Sequence, residues 1–164
     1  MTKVDPADVE LVPKGVDEVA RWLAIAMREY EEARLEAGDS AEAADAARIQ
    51  SEQQFFPDGR LVDEHLLFTV ALRGEEAGWL WIGPWRGGSG SEDWWIYDLR
   101  VLDRFQRRGI ARVVMQRADA IAREHGAKSL GLNAFATNVA AITLYESLGY
   151  LTASVHMRKE LPGA

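Results

Sequence analysis

The chain contains no cysteine, which removes disulfides, thiolate metal sites and a cysteine nucleophile at once. Histidine is scarce as well. Only His65, His125 and His156 occur, far apart in the chain, so no histidine-rich metal site, and no metal, is expected. No apolar run approaches the roughly 18 residues of a membrane span. The opening "MTKVDPADVELVPKGV" has no charged-then-apolar leader layout. A cytoplasmic location and no membrane partner are the expectations. Two phosphate motifs are also missing: neither G-x-x-x-x-G-K-[ST] nor G-x-G-x-x-G occurs, which disfavours a P-loop and a dinucleotide fold. "GGSGS", Gly87 to Ser91, fails the G-x-S-x-G pattern of a nucleophile elbow and reads as a plain loop.

What is present is a 164-residue chain, 48% hydrophobic and 27% charged, a balance that suits one globular domain over residues 1–164. Its charge of −7 is lopsided. Residues 1–52 hold 13 acidic and 6 basic side chains, whereas residues 53–164 hold 13 of each. The acidic half argues against non-specific nucleic-acid binding, which needs a broad basic face. Against it stands one compact basic segment, with six arginines and only Asp103 opposing them between Arg100 and Arg117. A small polyanion fits such a segment better than a polymer does.

The periodicities give an order of elements. "VELV" from Val9 is a short strand ended by Pro13. Apolar residues at Val19, Leu23, Ala26 or Met27, Tyr30 and Ala33 mark one helical face from Val16 to Gly38. Asp39 or Ser40 caps a second, alanine-rich helix running to about Phe55. His65–Leu72 and Ala77–Gly83 form a hairpin across "RGEE". The segment "PWRGGSGSED" is a flexible connection, and Trp94–Leu102 is the strongest strand signal. A helix from Gly109 or Ile110 ends at Gly126. A strand over Ser129–Phe135 follows, then a helix from about Asn138 to Gly149. "YLTASVHMRKEL" closes the chain as one or two strands, the last near Ser154 to Glu160. Helices, then a meander, then strand–helix–strand make an α+β arrangement.

The Gly109 junction has the parts of an anion site. A helix N-terminus offers free N–H groups and a positive dipole end, and glycine lets an anion approach the backbone. Ala111 keeps the first turn slim, and Arg107, Arg108 and Arg112 add charge that can fork onto phosphate oxygens. Taken alone, these features describe a helix with arginines on its solvated face better than an anion site.

Context decides between the two. "VLDRFQRRGIA" resembles the Q/R-x-x-G-x-G/A signature of the Gcn5-related N-acetyltransferases (GNAT), with Gln106, Gly109 and Ala111 at the marked positions. "LNAFATNVAAITLYESLGY" resembles that family's second block through Asn138, Ala141, Leu144, Tyr145, Gly149 and Tyr150. The resemblance implies a mixed, mostly antiparallel sheet of six or seven strands flanked by helices, with two central parallel strands splayed to admit acetyl-CoA. It implies that Leu99, Arg100 and Val101 run beside the pantetheine arm. Gln106, Arg107, Arg108, Gly109, Ile110, Ala111 and Arg112 would hold the pyrophosphate. Asn138, with Ala141, would contact the cofactor arm, and Tyr145 would protonate the departing sulfur.

The implied activity is acetyl transfer from acetyl-CoA to a primary amine, by direct attack in a ternary complex. The different-class alternative is a non-catalytic acyl-CoA-binding sensor or scaffold. Asp98, beside the cofactor arm, is either the general base, in place of a water chain, or a strand carboxylate bonded to a neighbouring backbone or arginine. Trp79, Trp81, Trp85, Trp94 and Trp95 fit a core better than an aromatic wall around an amine, with Trp85 as the loop exception. An exposed part of that cluster would favour a homodimer. His65 lies outside both blocks, His125 reads as a helix-end cap, and His156 as a packed strand residue. The acceptor is a small-molecule or peptide amine, and the acidic N-terminal half hints at a cationic one such as a polyamine, aminoglycoside or peptide N-terminus.

Overall fold

A computed structural model describes residues 3–85, 92–155, 157 and 159. The chain resolves into two compact units, residues 1–133 and 134–164. The first holds the sheet: β1 (Val9–Pro13), β2 (Leu66–Leu72), β3 (Glu75–Pro84), β4 (Asp93–Val101) and β5 (Ser129–Leu132). They lie side by side in chain order, antiparallel from β1 to β4 and parallel between β4 and β5. The fold is therefore α+β with a mixed sheet and flanking helices. The described residues form five strands, not six or seven.

Three helices flank the sheet in this unit. α1 (Val16–Glu36) starts where the Glu18 carboxylate accepts the Gly15 N–H at 2.8 Å. α2 (Ala41–Phe55) starts at Ser40, whose hydroxyl accepts from the Ala43 N–H, so Ser40 and not Asp39 is the cap. α3 (Ile110–Glu124) spans the crossover between the parallel strands. Successive strand residues face opposite ways. Trp79 and Trp81 turn to α1 and α2, where they pack with Val19, Trp22, Ala26, Met27, Phe55 and Phe56. Leu80 and Ile82 turn to the other face, which α3 covers with Ile110, Val113, Val114, Met115 and Ala118. Trp94 belongs to that face too, since its ring lies 4.7 Å from His125 at the end of α3.

The second unit contains α4 (Val139–Ser147). Leu151, Val155 and Met157 beyond it are largely exposed, and Leu151–Val155, Met157 and Lys159 carry no strand assignment. The alternation in "YLTASV" has the period of a strand, but a strand exists only through a ladder partner, and these residues are not paired in one. His156 and the "GGSGS" loop lie outside the described residues. Among those described, no helix is long and apolar enough to cross a membrane.

Candidate active site

The junction between β4 and α3 is shaped by two left-handed residues. Arg107 has φ +62° and Gly109 φ +87°. A Cβ at Gly109 would meet nothing within 4 Å, so glycine is demanded by the backbone angle rather than by space. No side chain caps α3, and its first turn has no acidic residue. Its leading N–H groups are thus left for an outside acceptor. Gln106 folds back instead, donating from Nε2 to Val101 O at 3.1 Å and Asp103 Oδ1 at 2.8 Å. The N-terminal segment pins the loop from its other side, through Val4 N–H to Arg108 O at 2.9 Å.

The arginines separate by partner. Arg104 donates to Glu75 at 3.0 Å and Arg117 to Pro6 O at 2.9 Å, so both are structural. Arg100 pairs with Glu29 of α1 at 3.2 Å. Arg107, Arg108 and Arg112 flank the helix start, with Arg108 beside the Phe105 ring. Ile110 is buried beneath the first turn and Ala111 is half-buried in it.

β4 pairs with β3 along its whole length but with β5 only from Asp93↔Ser129 to Ile96↔Leu132. Beyond Ile96 the parallel ladder stops, and β4 continues through Leu99, Arg100 and Val101 without β5 beside it. The second parallel strand is accordingly shorter than Ser129–Phe135. A register shift opposite Trp81/Ile82 inserts one extra β4 residue at this same point. Such a bulge bends and twists a strand, and here it leaves Tyr97 and Asp98 both facing α1 and α2.

Asp98 accepts a hydrogen bond from Trp79 Nε1 at 2.6 Å. Burial pushes its carboxyl up to about 6, with Glu29 adding to the rise and the Trp79 bond and Arg100 opposing it. The side-chain partner is thus the Trp79 indole rather than an arginine, and a carboxyl raised to about 6 lies in the range that base catalysis near neutrality requires.

Where the two parallel strands part, the first unit holds a cavity of about 350 Å³. Its walls are the rings of Tyr30, Phe55, Trp85, Trp95 and Tyr97, with Ser51, Gln54 and Asn133 as the polar members. Trp85 and Trp95 stack at 4.1 Å. Trp95 lies flat over its register partner Gly131, where any Cβ would meet the ring at 2.2 Å. Tyr97 is fixed by donating its hydroxyl to Pro84 O at 2.7 Å and by the Phe55 ring at 4.8 Å. Behind it, His65 is buried and accepts from Trp81 Nε1 at 3.1 Å. The tryptophans therefore divide: Trp79, Trp81 and Trp94 are core, while Trp85 and Trp95 face the cavity.

In the second unit, Asn138 caps α4 by accepting from the Ala141 N–H at 3.2 Å. Tyr145 is half-buried, its ring 5.9 Å from that of Tyr150.

Sequence reasoning missed Trp22, His65 and the cavity residues Tyr30, Ser51 and Gln54 as parts of one environment. The available signal was a run of aromatics at helix ends, at Phe55 and Phe56, with no core role assigned. His125 is the expected cap, its Nδ1 2.8 Å from Ile121 O. Among the described residues no group of three or more His, Cys, Asp or Glu could hold a metal.

The acetyltransferase (GNAT) family model matches residues 19–150. The uncharacterized N-acetyltransferase YdgE of Bacillus subtilis (strain 168) is 33% identical over 115 residues, 68% of this chain and 71% of YdgE. Its fellow N-acetyltransferase YycN, from the same organism, is 29% identical over 157 residues, 93% of this chain and 99% of YycN. The crystal structure of YycN aligns with a TM-score of 0.82 at 28% identity, covering 93% of this chain and 98% of that one.

Proposed function

The chain belongs to the acetyltransferase (GNAT) family, and on that premise we propose that it is an acetyl-CoA-dependent N-acetyltransferase acting on a primary amine within a ternary complex. Family membership supports acyl transfer in general. The observation that carries the cosubstrate is the start of α3, where an uncapped helix follows a left-handed glycine with arginines on both sides. A diphosphate fits that chemistry: free N–H donors, a positive dipole end and guanidinium forks. Ile110, Ala111 and Arg112 would bond it through the backbone, and Arg107, Arg108 and Arg112 through their charge. Leu99 to Val101, past the end of the parallel ladder, would run beside the pantetheine amides, and Asn138 and Ala141 would meet the arm from α4.

Acetyl-CoA supplies an activated acetyl thioester. The amine nitrogen forms the new bond to the acetyl carbon as the carbon–sulfur bond breaks. Asp98 takes the proton the amine loses, directly or through water, and is supported in that role by its raised pKa. Backbone N–H groups of the bent strand hold the oxygen that becomes negative. Tyr145, supported by its place in the signature, gives its proton to the departing sulfur. With no cysteine to carry an acetyl group, direct transfer needs no covalent intermediate.

Calorimetry with CoA on wild type and on Gly109→Glu, followed by a thiol-release screen over diverse amines, tests the reading. Binding lost in the variant and thiol released by the wild type are the expected results. CoA affinity surviving in Gly109→Glu would move the site elsewhere. Binding without any thiol release would make the chain a non-catalytic module.

A further inference from the structure

The cavity beside the parting strands has a wall chemistry that names a class of acceptor. Five of its eight wall residues are aromatic, and the other three are neutral. Among the described residues no carboxylate or ammonium lines it, although the surrounding half of the chain is acidic. Several carboxylates nearest the cavity helices are engaged in ion pairs. Glu31, Asp45 and Glu52 converge on Arg48. Asp39 holds Arg34, and Glu29 holds Arg100. Arg34 also donates to the Tyr30 hydroxyl at 3.0 Å, placing a cation directly behind one wall. A ligand with several positive charges would lose water here and find no counter-ion among these eight residues. A single ammonium is different, because aromatic faces attract one cation without needing a carboxylate.

The rings also define shape. Trp85 and Trp95 present a stacked pair, Tyr97 is clamped through Pro84, and Phe55 stands edge-on to Tyr97. These are preset surfaces for a planar group, which gains most by stacking or meeting ring edges. At about 350 Å³ the volume lies near the lower end of small-molecule pockets, roughly 300–1,000 Å³. One ring and a short arm fit that space; an aminosugar chain does not.

Resting on the acetyltransferase reading above, we infer that the acceptor is a primary amine carried on a short arm from a single aromatic ring. The ring lies among Phe55, Trp85, Trp95 and Tyr97, and the amine points to where β4 and β5 part. Ser51, Gln54 and Asn133 serve one or two polar ring substituents or an adjoining amide. The same chemistry occurs in a free arylalkylamine and in the N-terminal aromatic residue of a peptide.

The test compares 2-phenylethylamine, phenylalanyl-glycinamide, 2-cyclohexylethylamine and spermidine in thiol release with saturating acetyl-CoA. The two aromatic amines should exceed spermidine in kcat/KM by tenfold or more, and the larger of the two identifies the source. The cyclohexyl analogue should fall between. Trp85→Ala should raise KM for the better aromatic amine about tenfold while CoA affinity, read by calorimetry, stays unchanged. Gln54→Glu, on an exposed position, should move preference towards spermidine. Spermidine preferred by the wild type, with thiol released, overturns the acceptor class and leaves the acetyltransferase reading standing. If no amine releases thiol, that reading fails first, and binding of 2-phenylethylamine followed by tryptophan fluorescence decides the cavity. Saturable quenching lost in Trp85→Ala upholds ring selectivity, and its absence overturns it.

Discussion

The two faces of the sheet are built from different materials. The face under α3 is largely aliphatic: Val70, Leu80, Ile82, Ile96, Ile110, Val114 and Met115 are buried there, with Trp94 against His125 as its aromatic exception. The face under α1 and α2 is aromatic, with Trp22, Phe55, Phe56, Trp79, Trp81 and Tyr97 in one cluster. Aliphatic residues fill space and ask for nothing else. Indole and phenol groups bring a polar tip that must be matched when buried. Three matches are particular, Trp79 to Asp98, Trp81 to His65 and Tyr97 to Pro84 O, while the buried Trp22 Nε1 has no partner among the described residues. Each fixes the direction of a ring. The aromatic face is therefore the one that can hold a cavity of defined shape and a titrating carboxylate, and the aliphatic face is the one that holds the fold.

If that division is right, the largest stability losses belong to the α3 face. Met115 is fully buried, and Met115→Ala should cost about 2–5 kcal/mol, read as a lowered denaturation midpoint with an unchanged m-value. CoA and amine affinities of the folded fraction should not move. An affinity change as large as the stability change would erase the distinction between the faces.

The next effect concerns Asp98, and its sign follows from the carboxyl being raised from 3.8 to about 6. A carboxylate harder to ionise in the folded state opposes folding when charged. Its cost is absent below about pH 4, grows through pH 6 and is complete above it. Two pKa units correspond to about 3 kcal/mol. Asp98→Asn, whose side-chain oxygen can still accept from Trp79, should be more stable than wild type at pH 8, with the advantage gone near pH 4. Acetyl transfer should fall on the order of a hundredfold if Asp98 takes the proton. Urea unfolding at both pH values, together with steady-state rates, separates these. A variant no more stable at pH 8 would show that the burial cost is met elsewhere.

Trp79→Phe probes the same pair from the other side. The indole bond holds the Asp98 pKa down, so its removal should move the acidic limb of the kcat/KM profile upward from about pH 6. Stability should drop by about 1–3 kcal/mol for the carboxylate left without that donor. A limb that stays in place would identify another group as the base.

Much of this architecture is legible in the sequence because alternation and helical stripes report burial one element at a time. Ser40, Gly109 and Gly126 mark helix ends by local chemistry alone. What escapes has long-range causes. Trp22, three residues from Val19 and four from Ala26, shares their helical face, but only the structure shows that it meets Trp81 edge-on. "KSLGLNAF" keeps a strand pattern to Phe135, yet β5 ends at Leu132 because its partner bends away. The bulge that bends it leaves no residue signature. Tyr30, Ser51, Trp95 and Asn133 share a cavity although a hundred residues separate the first from the last. His65 stands outside both signature blocks, and its contacts with Trp81, Phe55 and Tyr97 come from the fold. The α3 start is the reverse case: the helix boundary at Gly109 is legible locally, and the structure adds that Arg100, Arg104 and Arg117 bond to Glu29, Glu75 and Pro6 O.

Gly109 supplies the smallest effect and the sharpest separation. It sits at the head of the helix that covers the aliphatic face, yet its own surroundings are open. With φ at +87°, an alanine pays only the left-handed backbone strain, about 1–2 kcal/mol, and meets no clash. Gly109→Ala should therefore lower the midpoint slightly and keep CoA affinity within a few-fold. Gly109→Glu carries the same strain plus a negative charge at the uncapped N–H groups. The two variants should unfold alike and differ in CoA binding by tenfold or more. Equal binding in both would mean that the helix start contributes its backbone angle to the fold and nothing to the diphosphate.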